Sequence, residues 1–226
     1  MTADLSGWEA RPRPTAAILE GRWCRLKRLD PAHHADSLYA ASIASGADQR
    51  FRYLFEPPPA DRAAFDAWAS RAADGKDPLF YAVIDTATGR AEGRQALMRI
   101  TPEHGVIEIG SILWGPRIAR TRIATEALYL FAKHAFDDLG YRRFEWKCDA
   151  LNEPSRRAAL RFGFTFEGIF RQHMVVKGRN RDTAWFAIAD ADWPRIRTGM
   201  ESWLAPANFD ATGGQLRKLG EFLDGG

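Results

Sequence analysis

The stretch 111–139 decides the fold: Ser111-Ile-Leu-Trp-Gly115-Pro-Arg-Ile-Ala-Arg120-Thr-Arg-Ile-Ala-Thr125-Glu-Ala-Leu-Tyr-Leu130-Phe-Ala-Lys-His-Ala135-Phe-Asp-Asp-Leu139. Just before and into it, Ile107, Ile109, Ser111 and Leu113 alternate with Glu108, Gly110, Ile112 and Trp114, the period of a strand. Gly115-Pro116 stops that strand. Beyond a short basic loop, Ile123, Ala127, Leu130, Phe131 and Ala135 recur at helical spacing, and Gly140 suits a left-handed cap. Strand, basic loop, helix is a geometry that binds anions, because backbone N–H groups and the dipole point out of a helix N-terminus. Arg117, Arg120 and Arg122 add charge there, with no acidic residue between Ile109 and Thr125. The loop reads as a phosphate cradle; a solvated basic loop is the other reading of the same residues. Neither a Gly-Lys-Ser/Thr phosphate loop nor Gly-x-Gly-x-x-Gly occurs, so nucleotide-triphosphate and dinucleotide folds lack support.

The rest of the chain supplies the partners of this unit. Residues 1–20, with Arg11-Pro-Arg-Pro14, read as an extended arm. Residues 21–29 read as a first strand, and Asp30-Pro31 opens a helix with Leu38, Ala41 and Ile43 on its buried side. The loop 48–59 carries Phe51, Tyr53 and Phe55, which either pack in the core or stand beside a cleft. A second helix starts at Asp61, followed by strands over 79–84 and 92–100 and a turn into the central strand. After the central helix, Phe144, Trp146 and Cys148 alternate with Arg143, Glu145 and Lys147. That strand follows a helical crossover and should run parallel to the strand before it. Asn152 caps a short helix ending at Phe162-Gly163. Two further strands, the second over 183–189, flank a turn at 177–180, and Asp192-Trp193-Pro194 starts a terminal helix. The glycine-rich tail 205–226 reads as peripheral, with a short helix near 215–223.

Bulk numbers narrow the class. The chain has 226 residues, 46% of them hydrophobic, enough for one domain with a real core over 21–204. Net charge is only +3, which argues against a dedicated nucleic-acid protein, DNA included, so any basic site must be local. Cys24 and Cys148 have neither metal nor disulfide spacing, and the five histidines have no ligand spacing, so no metal is expected. The N-terminus is not a signal peptide and no apolar run could span a membrane, so a cytoplasmic setting is the expectation.

The element order, together with residues 106–114, 119–127, Asn152-Glu-Pro-Ser155 to Gly163-Phe164, Gly168-Ile-Phe-Arg171, Lys177-Gly-Arg179 and Arg181-Asp182, resembles the GNAT superfamily of acyl-CoA-dependent N-acyltransferases. Within it the chain looks most like the branch of ribosomal-protein N-terminal acetyltransferases. The resemblance implies a mixed α/β (α+β) fold. Its twisted sheet would have about seven strands, mostly antiparallel, with one splayed parallel pair that admits acetyl-CoA. The family loop Gln/Arg-x-x-Gly-x-Gly/Ala falls on 119–124, where Ala119 and Arg122 replace the leading polar residue and the central glycine. By resemblance, Ile112, Leu113, Trp114, Arg117, Arg120, Thr121, Arg122, Ile123, Ala124, Thr125, Asn152, Ser155 and Arg156 contact the cofactor.

Amide formation from a thioester needs a neutral amine and a proton for the leaving thiolate. Glu108 is the candidate base and Ser155 the candidate proton donor; the position where many relatives place a tyrosine is Ala158-Ala159. Phe51, Tyr53 and His173 are candidates for the acceptor side. The expected activity is direct acetyl transfer to a primary amine, such as a peptide N-terminus. A small-molecule acetyltransferase and a non-catalytic CoA-binding or RNA-associated module are the alternatives, and a homodimer is plausible.

Overall fold

The computed structural model describes residues 4–223. Eight strands form one sheet: β1 (Ile18–Glu20), β2 (Cys24–Arg28), β3 (Leu79–Asp85), β4 (Ala91–Thr101), β5 (Val106–Trp114), β6 (Arg143–Asp149), β7 (Thr165–Val176) and β8 (Arg179–Ala189). Their spatial order is β1-β2-β3-β4-β5-β6-β8-β7. Every neighbouring pair is antiparallel except β5 and β6, as the crossover helix between them requires.

Helices α1 (Pro31–Ile43) and α3 (Arg62–Asp74) cover one face of the sheet. Helices α4 (Arg122–Lys133) and α6 (Trp193–Leu204) cover the other, with α5 (Glu153–Arg161) against β6 and β7. Strand β3 shows why two layers are needed. Leu79, Tyr81 and Val83 enter the core under α4, while Phe80 and Ala82 enter the core under α1 and α3. Asp30 and Asp61 cap α1 and α3 through their carboxylates, at Ala32 N and Ala64 N. Helix α4 continues through a π-turn, His134–Asp138, and stops at Gly140, whose φ of 68° is the left-handed cap.

Several boundaries differ from the sequence reading. The arm does not only lie over the domain: Ile18–Glu20 joins the sheet as an eighth strand, and the strand expected over 21–29 is confined to Cys24–Arg28. The reason is Glu126 on α4, whose buried carboxylate accepts from the amides of Arg22, Trp23 and Cys24 at 2.9, 2.6 and 2.7 Å. It bends the chain at Gly21, where a Cβ would lie 2.6 Å from Glu126 Oε2. Ile43 is 48% exposed at the end of α1. The loop 48–59 contains a one-turn helix, α2 (Ala47–Phe51). Strand β8 begins at Arg179, because Lys177 and Gly178, at φ 50° and 72°, make a two-residue hairpin turn. The tail is not peripheral: Leu219 and Leu223, the latter in α7 (Gly220–Leu223), are buried in the main core.

Candidate active site

Strands β5 and β6 pair over only four positions, Val106 with Arg143 through Ile109 with Trp146. Beyond them residues 110–114 and 147–149 have no partner in each other, so the two strand edges part. A bulge widens the gap. Between the pairs Ala96–Gly110 and Arg94–Leu113, β5 holds one residue more than β4, and Ser111 takes φ 48°. Buried Arg94 fixes the bulge by donating from Nη1 to the Ser111 carbonyl at 2.9 Å and by pairing with Glu56. The result is a cleft of about 600 Å³ reaching from the N-terminus of α4 to α2 and the start of β8.

Glu108, Ile112, Leu113, Trp114, Arg120, Asn152, Ser155 and Tyr53 all line this cleft. Glu108 is 3% exposed, with Lys147 Nζ at 2.9 Å and Arg99 Nε at 3.6 Å from Oε2. Burial pushes its carboxyl above the usual range, while Lys147 and Arg99 pull it back. Lys147 also pairs with Glu145 at 2.6 Å and sits 3.8 Å over the Trp185 ring. Ser155 Oγ accepts from Trp146 Nε1 at 3.0 Å, and its hydroxyl lies beside the Cys148 thiol. Asn152 is the N-cap of α5, accepting from Ser155 N at 3.3 Å.

At the other end, Thr121 caps α4 through Ile123 N at 3.2 Å. The amides of Arg120, Arg122 and Ala124 make no hydrogen bond among the described residues. They are the free donors that an anion at a helix N-terminus would take. Arg122 has ordinary helix-start geometry as the first residue of α4. Its side chain is turned away from the role given to it: the guanidinium stacks 3.7 Å over Trp23 and 5.1 Å from Phe209. Arg117 is 71% exposed and near Glu92, outside the cleft. Thr125 is buried under Arg161, which donates to its hydroxyl at 3.2 Å. Arg156 reaches the Ala150 carbonyl and Glu153 instead of the cleft.

Of the acceptor-side candidates, Tyr53 belongs to the cleft, and its hydroxyl bridges it by donating to the Leu151 carbonyl at 3.0 Å. Phe51 is buried and lines a separate cavity of about 260 Å³ with Pro57, Trp68 and Arg94. His173 lies off the cleft, hydrogen-bonded to Thr183 Oγ1 at 2.9 Å. Sequence reasoning missed Lys147, Arg99 and Arg94, and it placed Arg181 in the closing family pattern without giving it a role in the site. The first was visible only as the polar half of an alternating strand, and no spacing rule joins it to Glu108. Both cysteines are poor nucleophiles: burial pushes the Cys24 thiol well up and the Cys148 thiol up, against the pull of the Ser155 hydroxyl beside Cys148. Among the described residues no group of three or more His, Cys, Asp or Glu could hold a metal ion, and no helix is long and apolar enough to cross a membrane.

Residues 24–165 match the acetyltransferase (GNAT) domain family. A GCN5-related N-acetyltransferase from Brucella melitensis is 59% identical over 97% of this chain and 100% of its own, with a TM-score of 0.96. A probable acetyltransferase of the GNAT family from Chromobacterium violaceum is 39% identical over 86% and 96%, with a TM-score of 0.79. The acetyl transferase of Salmonella typhimurium that modifies the N-terminal serine of ribosomal protein L7/L12 shares the fold at 19% identity, covering 76% and 98%, with a TM-score of 0.65. A search of curated proteins finds no match.

Proposed function

The chain belongs to the GNAT acetyltransferases and is an acyltransferase; from that premise we propose that it acetylates the α-amine of its acceptor directly, with Glu108 as base. The observation that carries the reading is the position of Glu108, buried in the cleft where β5 and β6 part, with its carboxyl raised. The residues fit acetyl-CoA at both ends. Free amides and Arg120 stand at the α4 terminus, and unpaired strand edges line the middle of the cleft. When bound, acetyl-CoA supplies the activated acetyl thioester.

The incoming amine must lose a proton, and a carboxylate with a raised pKa is a better acceptor for it than an ordinary one. Burial raises the Glu108 carboxyl, and Lys147 at 2.9 Å opposes that rise by favouring the anion. Trp146 orients Ser155 by donating to its Oγ, and the hydroxyl proton, which otherwise faces the Cys148 thiol, would turn to the departing sulfur. An α-amine, with pKa about 7.7–8.0, asks much less of such a base than a lysine amine at about 10.4. No covalent acyl-enzyme is invoked, since neither thiol is activated. The test is release of free CoA thiol from acetyl-CoA in the presence of a panel of peptides and small amines. Turnover with α-amines above lysine-type amines is expected; the reverse preference, or none at all, would count against the reading.

A further inference from the structure

Five basic residues line the cleft: Arg50, Arg99, Arg120, Lys147 and Arg181. Three of them already have internal partners. Arg50 donates to the carbonyls of Ala44 and Ser45, both at 2.6 Å, at the end of α1. Lys147 is held between Glu108 and Glu145, and Arg99 faces Glu108. Arg120 has no carboxylate within 4 Å among the described residues, but it stands at the proposed phosphate end of the cleft. That leaves Arg181.

Arg181 is only 7% exposed, on β8 opposite Met174. It makes no hydrogen bond and has no carboxylate within 4 Å among the described residues, and its buried Nε is without a partner. Its guanidinium packs 5.2 Å from the exposed ring of Phe55 in the acceptor loop. Burial pushes the guanidinium pKa down, with Asp149 the largest opposing influence and Glu108 a smaller one. An arginine stays protonated in such a place, so a buried positive charge stands without a direct partner among the described residues, Asp149 and Glu108 acting on it only from beyond 4 Å. A planar fork of donors backed by an aromatic ring and opening on a cleft is suited to a carboxylate, which it can bind through two parallel hydrogen bonds.

We infer that Arg181 recognises a carboxylate on the acceptor, so that the substrate is a primary amine carrying a carboxylate close to the reacting nitrogen. This deepens the acetyl-transfer reading and rests on it for the role of the amine. The same chemistry is offered by a free amino acid and by a peptide with an acidic residue near its N-terminus. Arg120 and Arg181, the two cleft cations without acidic partners, then mark the two anionic ends of the reacting pair.

The experiment compares carboxylate acceptors with their carboxamides, using amino acids against amino-acid amides in one arm and Asp- or Glu-initiated peptides against their Asn or Gln counterparts in the other. Wild type should prefer the carboxylate by about 10–150-fold in kcat/KM, the worth of a hydrogen bond to a charged group. The arm in which that preference appears identifies the source. Arg181→Gln should bring the preference to within about threefold and leave the KM for acetyl-CoA unchanged. Arg181→Lys keeps the charge but loses the fork and should retain part of the preference. Binding of the same compounds to the CoA-saturated protein is measured by calorimetry alongside. Turnover without carboxylate preference would overturn the inference and leave acetyl transfer standing. Carboxylate-selective binding that Arg181→Gln abolishes, without turnover, would uphold the inference and refute the transfer reading. A rise in the KM for acetyl-CoA alone would assign Arg181 to the other substrate and overturn the inference.

Discussion

As the proposed base, Glu108 would act through its surroundings more than its own chemistry. A strand glutamate in water has a pKa near 4.3 and would be a weak base at neutral pH. Burial raises this one, and Lys147 and Arg99 limit the rise. Because the folded carboxyl holds its proton to higher pH than an ordinary glutamate, the active, deprotonated form is lost as pH falls through that raised value. The kcat profile should therefore carry an acidic limb above the usual carboxylate range, and the limb should vanish in Glu108→Gln together with about 10²–10⁴-fold of kcat. A variant with the wild-type rate and limb would make Glu108 a structural residue. The two loop arginines separate in the same way. Arg122→Ala removes a cation stacked on Trp23 and should lower stability by about 0.5–2 kcal/mol with the KM for acetyl-CoA unchanged. Arg120→Ala should leave stability alone and raise that KM about tenfold. Steady-state kinetics and urea melts of both variants check the pair, and the opposite pattern would place the phosphates on Arg122.

The elements explain what could and could not be read in advance. The unit β5–loop–α4 was legible because its periods change from two to helical across Gly115-Pro116, and the caps at Asp30, Asp61, Asn152 and Gly140 follow local side-chain chemistry. Those elements place Glu108, Ser155 and the free amides without further information. What was not legible depends on contacts distant in sequence. The Ser111 bulge is held by Arg94, the Glu108 pair by Lys147, and the β1–β2 turn by Glu126, and no local pattern encodes such meetings. For the same reason Arg122 and Arg156, basic and correctly spaced, could not be seen to turn elsewhere. Glu126 tests the point on an element. Its carboxylate satisfies three backbone donors that the turn after β1 leaves unpaired. Glu126→Ala should cost about 2–4 kcal/mol in chemical denaturation, since buried donors lose their acceptor. A loss under about 0.5 kcal/mol would mean that the turn holds without it.

Across the whole molecule, the one sheet has two parts joined at a short seam. Strands β1 to β5 form one part and β6 to β8 the other, with four paired positions between them before they part. The shared helices complete the join, and Tyr53 bridges the open side to Leu151. A substrate that lies in the gap touches both parts and is absent from the unfolded chain, so its binding energy adds to stability by mass action. At 100 times its Kd, CoA should contribute about 2.7 kcal/mol, which for a chain of this size is roughly 5–11 °C in Tm. The proposed phosphate end should decide most of that gain, because the α4 amides and Arg120 have no partners there among the described residues. Pantetheine, which has the arm without the phosphates, should therefore shift Tm by much less at equal concentration, and Arg120→Ala should narrow the difference between the two. Thermal denaturation with each compound measures this directly. Equal shifts from CoA and pantetheine would mean that the strand edges alone hold the ligand and that the α4 terminus binds no phosphate.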